Sequence, residues 1–311
     1  MDPRYTMVPV RAALAAIVPG VEVLENLRFD PGEEANDPGF ARRLAQGFDL
    51  FVNDAFGACH RSHASIVGLP ALLPSAAGRL LTREVEALGR ILVDPERPFV
   101  AVVGGAKVAD KLGVLTSLAD KVDHLLLGGA MCFTFLAALG HEVGGSHLEA
   151  ALDGKARDLV GSSGEVELPS DLVALAPDGD ADLAGAPSGE VRHFGADLLP
   201  GWRGVDIGPA TATRYSQTIA EAATVLWNGP MGVFEDPRFA GGTRAVAEAL
   251  AASPGFTVAA GGETVAALRR FHLGDRISHL SSGGGATLEL IEKGDLPGLA
   301  ALRAGLGPQP G

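Results

Sequence analysis

Four short apolar runs, each closed by a Gly-Gly or Asn-Gly pair and followed by a helical pattern, constrain the fold of this chain more than any other feature. They are Phe99–Val103 before Gly104-Gly105, Leu125–Leu127 before Gly128-Gly129, Thr224–Trp227 before Asn228-Gly229, and Thr257–Ala260 before Gly261-Gly262. Runs this uniformly apolar suit strands buried on both faces of a parallel sheet, and such sheets bind ligands beyond the carboxyl ends of their strands, where these glycines fall. The rhythm predicts an α/β fold with a doubly wound parallel sheet, and it places a site at the glycine turns before any motif is named. Leu81, Val85, Leu88 and Leu92 repeat at helical spacing and predict a helix over Leu80–Leu92, stopped by Pro95 and Pro98 and leading into a second domain. Residues 163–204, rich in Gly, Asp, Ala and Pro, predict short strands and exposed turns, and the closing Gly-Pro-Gln-Pro-Gly a frayed tail.

A chain of 311 residues has ample length for two domains with real cores. Its formal charge of −13 argues against binding along a nucleic-acid backbone, which needs clustered Lys and Arg. A small anion is then held only by local basic residues working against the overall field. No apolar run reaches the length that crosses a bilayer, and the start lacks a basic region followed by an apolar stretch, so the chain reads as cytoplasmic with no membrane partner. Cys59 and Cys132 show neither a CxxC nor a paired spacing and read as core residues, with no disulfide and no zinc site.

Four segments carry chemistry. Gly104-Gly105-Ala106-Lys107-Val108-Ala109-Asp110-Lys111 follows a strand and is read as opening a helix, so that Lys107 and Lys111 share one face beside a turn whose N–H groups approach a phosphate. The alternative is an ordinary strand-to-helix turn with surface lysines; the spacing is not that of a P-loop. Trp227–Glu235 has too many turn formers to continue as a strand, leaving Asn228 to bond a phosphate and Glu235 a ribose hydroxyl, or else a tight structural loop. Ser282-Gly283-Gly284-Gly285-Ala286 is a second candidate anion-binding turn. Asn53–Ser65 gathers His60, Arg61 and His63 with hydroxyl groups after a strand, which suits a small doubly anionic substrate, while either histidine alone reads as a structural residue.

Taken together and in order, Glu25–Phe29, Asp54–Ser65, Gly104–Lys111, Gly128–Phe135, Trp227–Glu235 and Ser278–Glu289 closely resemble the phosphoglycerate kinase family, over about residues 21 to 302. The resemblance implies two doubly wound, Rossmann-like parallel-sheet domains joined by a hinge helix, the first incomplete. Residues 1–94 would bind phosphoglycerate, with the tail 292–311 packed on them, and residues 95–291 would bind the nucleotide. It implies that Arg28, His60 and Arg61 hold 3-phosphoglycerate or its acyl phosphate, that Lys111 holds nucleotide phosphates, and that Lys107 is catalytic, holding the phosphoryl group in flight. Gly105, Gly128, Gly129, Asn228, Pro230, Glu235, Gly261, Gly262, Thr264, Gly283, Gly284 and Gly285 would form the ADP/ATP pocket, with Mg2+ accompanying the nucleotide and the chain acting as a monomer in glycolysis.

Two departures qualify the resemblance. The opening Asp-Phe-Asn strand, Arg-x-Arg pair and His-Leu-Gly-Arg-Pro loop of family members do not occur, so the chain is read as lacking the start of its first domain, with an exposed sheet edge prone to self-association. Glu263 also stands where the family carries the aspartate that holds magnesium. A catalytically impaired nucleotide-binding protein is the rival reading; a dinucleotide-binding oxidoreductase is disfavoured, because no G-x-G-x-x-G with a later ribose-binding acid opens a first βαβ unit.

Overall fold

The protein is described from a computed structural model covering residues 3–162, 166–179 and 188–305. It divides into two compact units, one of Met1–Leu81 with Asp295–Gly311, the other of Thr82–Gly294. In the first unit, helices α1 (Val8–Ile17), α2 (Pro31–Glu34) and α3 (Pro38–Ala45) precede two parallel strands, β1 (Phe51–Asn53) and β2 (Ser75–Ala77). The sequence supplies the helix starts: Asp30 and Asp37, each followed by proline, accept the N–H groups of Gly32 and Phe40. Phe40, Ala41 and Ala64 form a small core. Phe48, Leu50 and Val52, alternating along the chain, are exposed, and α1 buries none of its residues. Asp54 accepts the N–H groups of Leu80 and Leu81 at 2.7 and 2.9 Å, capping α4 (Arg79–Leu92), which ends before Pro95. The division between the units falls within this helix.

The second unit runs β3 (Phe99–Val103), α5 (Leu112–Ala119), β4 (His124–Leu127), α6 (Cys132–Ala138), α7 (Asp153–Ser162), β5 (Val166–Glu167), β6 (Asp171–Leu175), β7 (Val191–Gly195), β8 (Arg203–Ile207), α8 (Pro209–Glu221), β9 (Thr224–Asn228), α9 (Gly241–Ala252), β10 (Phe256–Ala260), α10 (Gly262–Arg270), β11 (His279–Ser281) and α11 (Gly285–Lys293); α12 (Pro297–Gly305) belongs to the first unit. The four apolar runs are β3, β4, β9 and β10. They are inner strands of a six-stranded parallel sheet ordered β11-β10-β9-β3-β4-β5. Every residue of β3 and β9 is buried, as strands covered on both faces must be. Val100, Val102, Val225 and Trp227 share one core with Tyr215 and Ile219 of α8 and with Val246 and Leu250 of α9.

Register positions the site. Val103 lies opposite both Leu127 and Asn228, Asn228 opposite Ala260, and Ala260 opposite Ser281. The carboxyl ends of five strands therefore stop at one level, and the glycine turns leave it side by side. Chain order reverses between β3 and β9, which makes that pair the switch point where ligands of such sheets bind.

Two findings differ from expectation or go beyond it. Helix α5 begins only at Leu112, with Lys111 as its N-cap residue, so Lys107 and Lys111 do not share a helical face; the intervening segment is a turn. Strands β6 and β7, from within residues 163–204, form with β8 a separate antiparallel sheet ordered β7-β6-β8, packed through Leu172 and Ala174 on Phe133, Leu136 and Trp202. Both cysteines are buried free thiols, and burial pushes their pKa values up, as inert core residues require. No helix among the described residues is long and apolar enough to cross a membrane.

Candidate functional site

At the switch point the turns after β3 and β9 are laced together. Gly104 donates its N–H to the Asn228 carbonyl at 2.9 Å, and Gly105 donates to the Pro230 carbonyl at 3.0 Å. The Lys111 ammonium donates to the carbonyls of both Gly104 and Asn228, the latter at 3.2 Å. Burial lowers its pKa from 10.5 to about 8, and only the charges of Glu263 and Asp110 oppose that fall. A largely desolvated ammonium at a switch point, held by neutral carbonyls, is poised for an anion. Lys107, on the same turn, is exposed.

Beside this ammonium lies a cavity of about 180 Å3, walled by Gly105, Ala106, Gly129, Phe133, Val205, Asp206, Met231, Val233, Glu235 and Glu263 among others. Gly129 has a φ of +65°, and a Cβ there would lie 2.4 Å from the Gly105 nitrogen. Only glycine lets these two turns meet. Of the residues expected in the pocket, Gly105, Gly129, Pro230, Glu235 and Glu263 line this cavity; Lys107, Lys111, Gly128, Asn228, Gly261, Gly262, Thr264 and Gly283–Gly285 do not. Apart from the lysines, which follow the β3 turn, these others stand at the ends of β4, β9, β10 and β11 along the same sheet edge.

Several of them are occupied as supports. The buried Thr264 hydroxyl accepts the Gly229 N–H at 2.7 Å, and the Asn228 side-chain amide donates to the Ala260 carbonyl at 2.9 Å, tying β9 to β10. The turn Ser282–Gly285 is held by Glu84 of α4, which is buried and accepts the N–H and the hydroxyl of Ser282, both at 2.7 Å, and lies 2.8 Å from His279. Burial alone would raise the Glu84 pKa, but the hydrogen bonds from His279 and Ser282 outweigh it and hold the carboxyl below its ordinary value.

Asp206 is the residue that the sequence reading missed. It is buried on β8, walls the cavity, and accepts the N–H groups of Ile207 and Gly242 at 2.9 and 2.7 Å. Desolvation pushes its pKa up to about 7 against those bonds. The motif-poor stretch before it offered no signal; the helix-opening Gly208-Pro209 after it was the available one.

In the first unit, Arg28 lines a cavity of about 450 Å3 with Glu25, Asn26, Glu33, His63 and Ser65, while His60 and Arg61 are not among its walls. Glu33 is buried, and it accepts the Ser65 N–H at 3.0 Å and the Ser65 hydroxyl at 2.5 Å, with His63 at 3.6 Å.

Comparison with known proteins agrees with this architecture. The sequence profile of the family described as phosphoglycerate kinase matches residues 5–294. Phosphoglycerate kinase of Thermus thermophilus is 48% identical over an alignment of 331 positions including gaps, covering 97% of this chain and 83% of that one. The Herpetosiphon aurantiacus enzyme is 50% identical over 296, covering 94% and 74%. The solved structure of phosphoglycerate kinase from Coxiella burnetii superimposes with a TM-score of 0.86 at 35% identity, covering 98% of this chain and 82% of that one. That from Pyrococcus horikoshii gives 0.84 at 29%, covering 96% and 82%. A switch-point ammonium, a walled cavity beside it and a family match across nearly the whole length lead to one conclusion: the chain belongs to the phosphoglycerate kinase family and is a phosphotransferase of that kind.

Proposed function

We propose that the second unit binds ADP or ATP with Mg2+, that the first binds phosphoglycerate, and that the chain moves a phosphoryl group between 1,3-bisphosphoglycerate and ADP in cytoplasmic glycolysis. The observation that carries the reading is the largely desolvated Lys111 ammonium at the switch point, beside a cavity bearing Glu235 and Glu263. In the reaction the acyl phosphate's P–O bond breaks, a bond from phosphorus to a terminal ADP oxygen forms, and 3-phosphoglycerate leaves as its carboxylate. No proton need move, so the protein's task is positioning and charge neutralisation.

On this reading Lys111 holds the nucleotide phosphates and the exposed Lys107 neutralises the group in flight. Asn228 contacts phosphate through its second amide proton, Glu235 takes the ribose, and Pro230 with Gly105, Gly128, Gly129, Gly261, Gly262 and Gly283–Gly285 shapes the pocket and its approaches. Thr264 acts by holding Gly229. Arg28, His60 and Arg61 receive the phosphoglycerate.

Among the described residues no group of three or more His, Cys, Asp or Glu could cage a metal. Mg2+ that arrives with nucleotide phosphates needs only one or two carboxylates, the rest of its shell being phosphate and water, and the exposed Glu263 fits that role. The ion when bound neutralises phosphate charge. Its demand for near-ideal octahedral geometry makes the extra methylene unfavourable, so Glu263→Asp tightens Mg-ADP binding a few-fold; unchanged or weaker affinity in calorimetry counts against Glu263 as the metal carboxylate.

The reading as a whole is tested with 1,3-bisphosphoglycerate and ADP in a coupled assay and with Mg-ADP in a melting experiment. Turnover is expected, together with a stabilisation of about 2.7 kcal/mol when ADP is at 100 times its dissociation constant. A chain that neither turns over nor melts higher with ADP does not have this function.

A further inference from the structure

The turn carrying both lysines has an unexpected anchor. Glycine-rich turns that receive phosphate normally leave their main-chain N–H groups open to it, but here two of them are taken. Val108 donates its N–H to one oxygen of Glu149 at 2.5 Å, and Ala109 donates to the other at 3.2 Å. These are two of the three residues between Lys107 and Lys111. Glu149 lies 40 residues further along the chain, and its own N–H is donated to the hydroxyl of Thr134 at 3.1 Å, a threonine buried on α6. The start of α6 is in turn tied to the turn after β3, since Met131 donates its N–H to the Gly105 carbonyl at 3.0 Å. A closed brace results: α6 fixes Glu149, and both carboxylate oxygens of Glu149 fix the lysine turn.

We propose that Glu149 is a positioning residue for phosphate recognition, setting where Lys107 and Lys111 stand by gripping the main chain between them. It touches no nucleotide. A carboxylate suits this better than any neutral side chain, because it accepts two adjacent N–H groups at once through charge-assisted bonds. The gripped segment is a turn, and helix α5 begins after it at Leu112.

The inference rests on the reading that the lysines hold nucleotide phosphates, and the test separates the two. Binding of ADP and of adenosine to the full chain is measured by calorimetry for the wild type, Glu149→Gln and Glu149→Ala, with melting curves to confirm folding. Adenosine lacks phosphates, so its affinity stays within twofold in all three. The ADP-to-adenosine affinity ratio is expected to fall about tenfold in Glu149→Gln, which keeps one acceptor oxygen, and further in Glu149→Ala. A merely structural role would weaken both ligands together. A wild type that binds ADP no better than adenosine refutes the reading of the lysines; a wild type that prefers ADP with variants of unchanged ratio refutes the role of Glu149 alone.

Discussion

Lys111→Met is expected to weaken ADP binding by about two orders of magnitude, close to 3 kcal/mol, while changing the stability of the chain far less. Two opposed effects set the second half of that expectation. The ammonium's fall from 10.5 to about 8 corresponds to about 3 kcal/mol by which the folded state disfavours the charged form, the net of desolvation and the opposing charges of Glu263 and Asp110. Against this stand the donor bonds to the Gly104 and Asn228 carbonyls, whose loss leaves those carbonyls short of a donor at a cost of roughly 1–3 kcal/mol. Methionine removes both contributions.

The pH dependence follows by sign. Between about 8 and 10.5 the folded chain holds fewer protons at Lys111 than the unfolded chain, so this residue's contribution makes stability rise with pH across that window; below it the full cost of the buried charge is present. An arriving phosphate favours the charged form and raises the pKa again. ADP binding should therefore take up protons near pH 8 and none through Lys111 at pH 6, and Lys111→Met should abolish the uptake. Calorimetry in buffers of different ionisation enthalpy reads this directly. ADP affinity within threefold of wild type, or proton uptake that survives the substitution, would remove Lys111 from the phosphate site.

The second large effect is on folding. Gly229→Ala places a methyl group 2.3 Å from the Gly104 oxygen and 2.7 Å from the Lys111 nitrogen, at a φ of +96°. The neighbouring atoms include main chain held by the sheet, so they cannot swing aside. Strain and overpacking together predict a loss of about 4 kcal/mol, with the lysine displaced and ADP binding lost. Gly262→Ala is the internal control: it lies in α10 with nothing within 4 Å of an added Cβ, and helix propensity predicts a gain of about 0.5–1 kcal/mol. Trp227 and Trp202, both in the second unit, report urea unfolding by fluorescence, and the Trp227 indole donates to the Gly229 carbonyl at 2.8 Å. Equal stability of the two variants would contradict the close approach of the turns.

What the sequence determined by itself is the parallel sheet and the level at which its glycine turns leave the strands. Strands covered on both faces have no polar face to show, so Phe99–Val103 and Thr224–Asn228 announce themselves as unbroken apolar runs, and the glycines after them mark turns that must pack closely. Local pattern was enough because burial on both sides acts on every residue of such a strand. Only the tertiary structure decided which groups reach the site from a distance. Spacing places Lys111 on a helical face with Lys107, but the segment between them is a turn whose Val108 and Ala109 N–H groups go to Glu149, and the Lys111 ammonium turns to the carbonyls of Gly104 and Asn228. Asp206 and Thr264 became part of the site through main-chain N–H groups at Gly242 and Gly229, 36 and 35 residues away. Hydrogen bonds between residues so far apart leave no periodicity in the sequence, because chain closure and not neighbouring side chains brings the partners together.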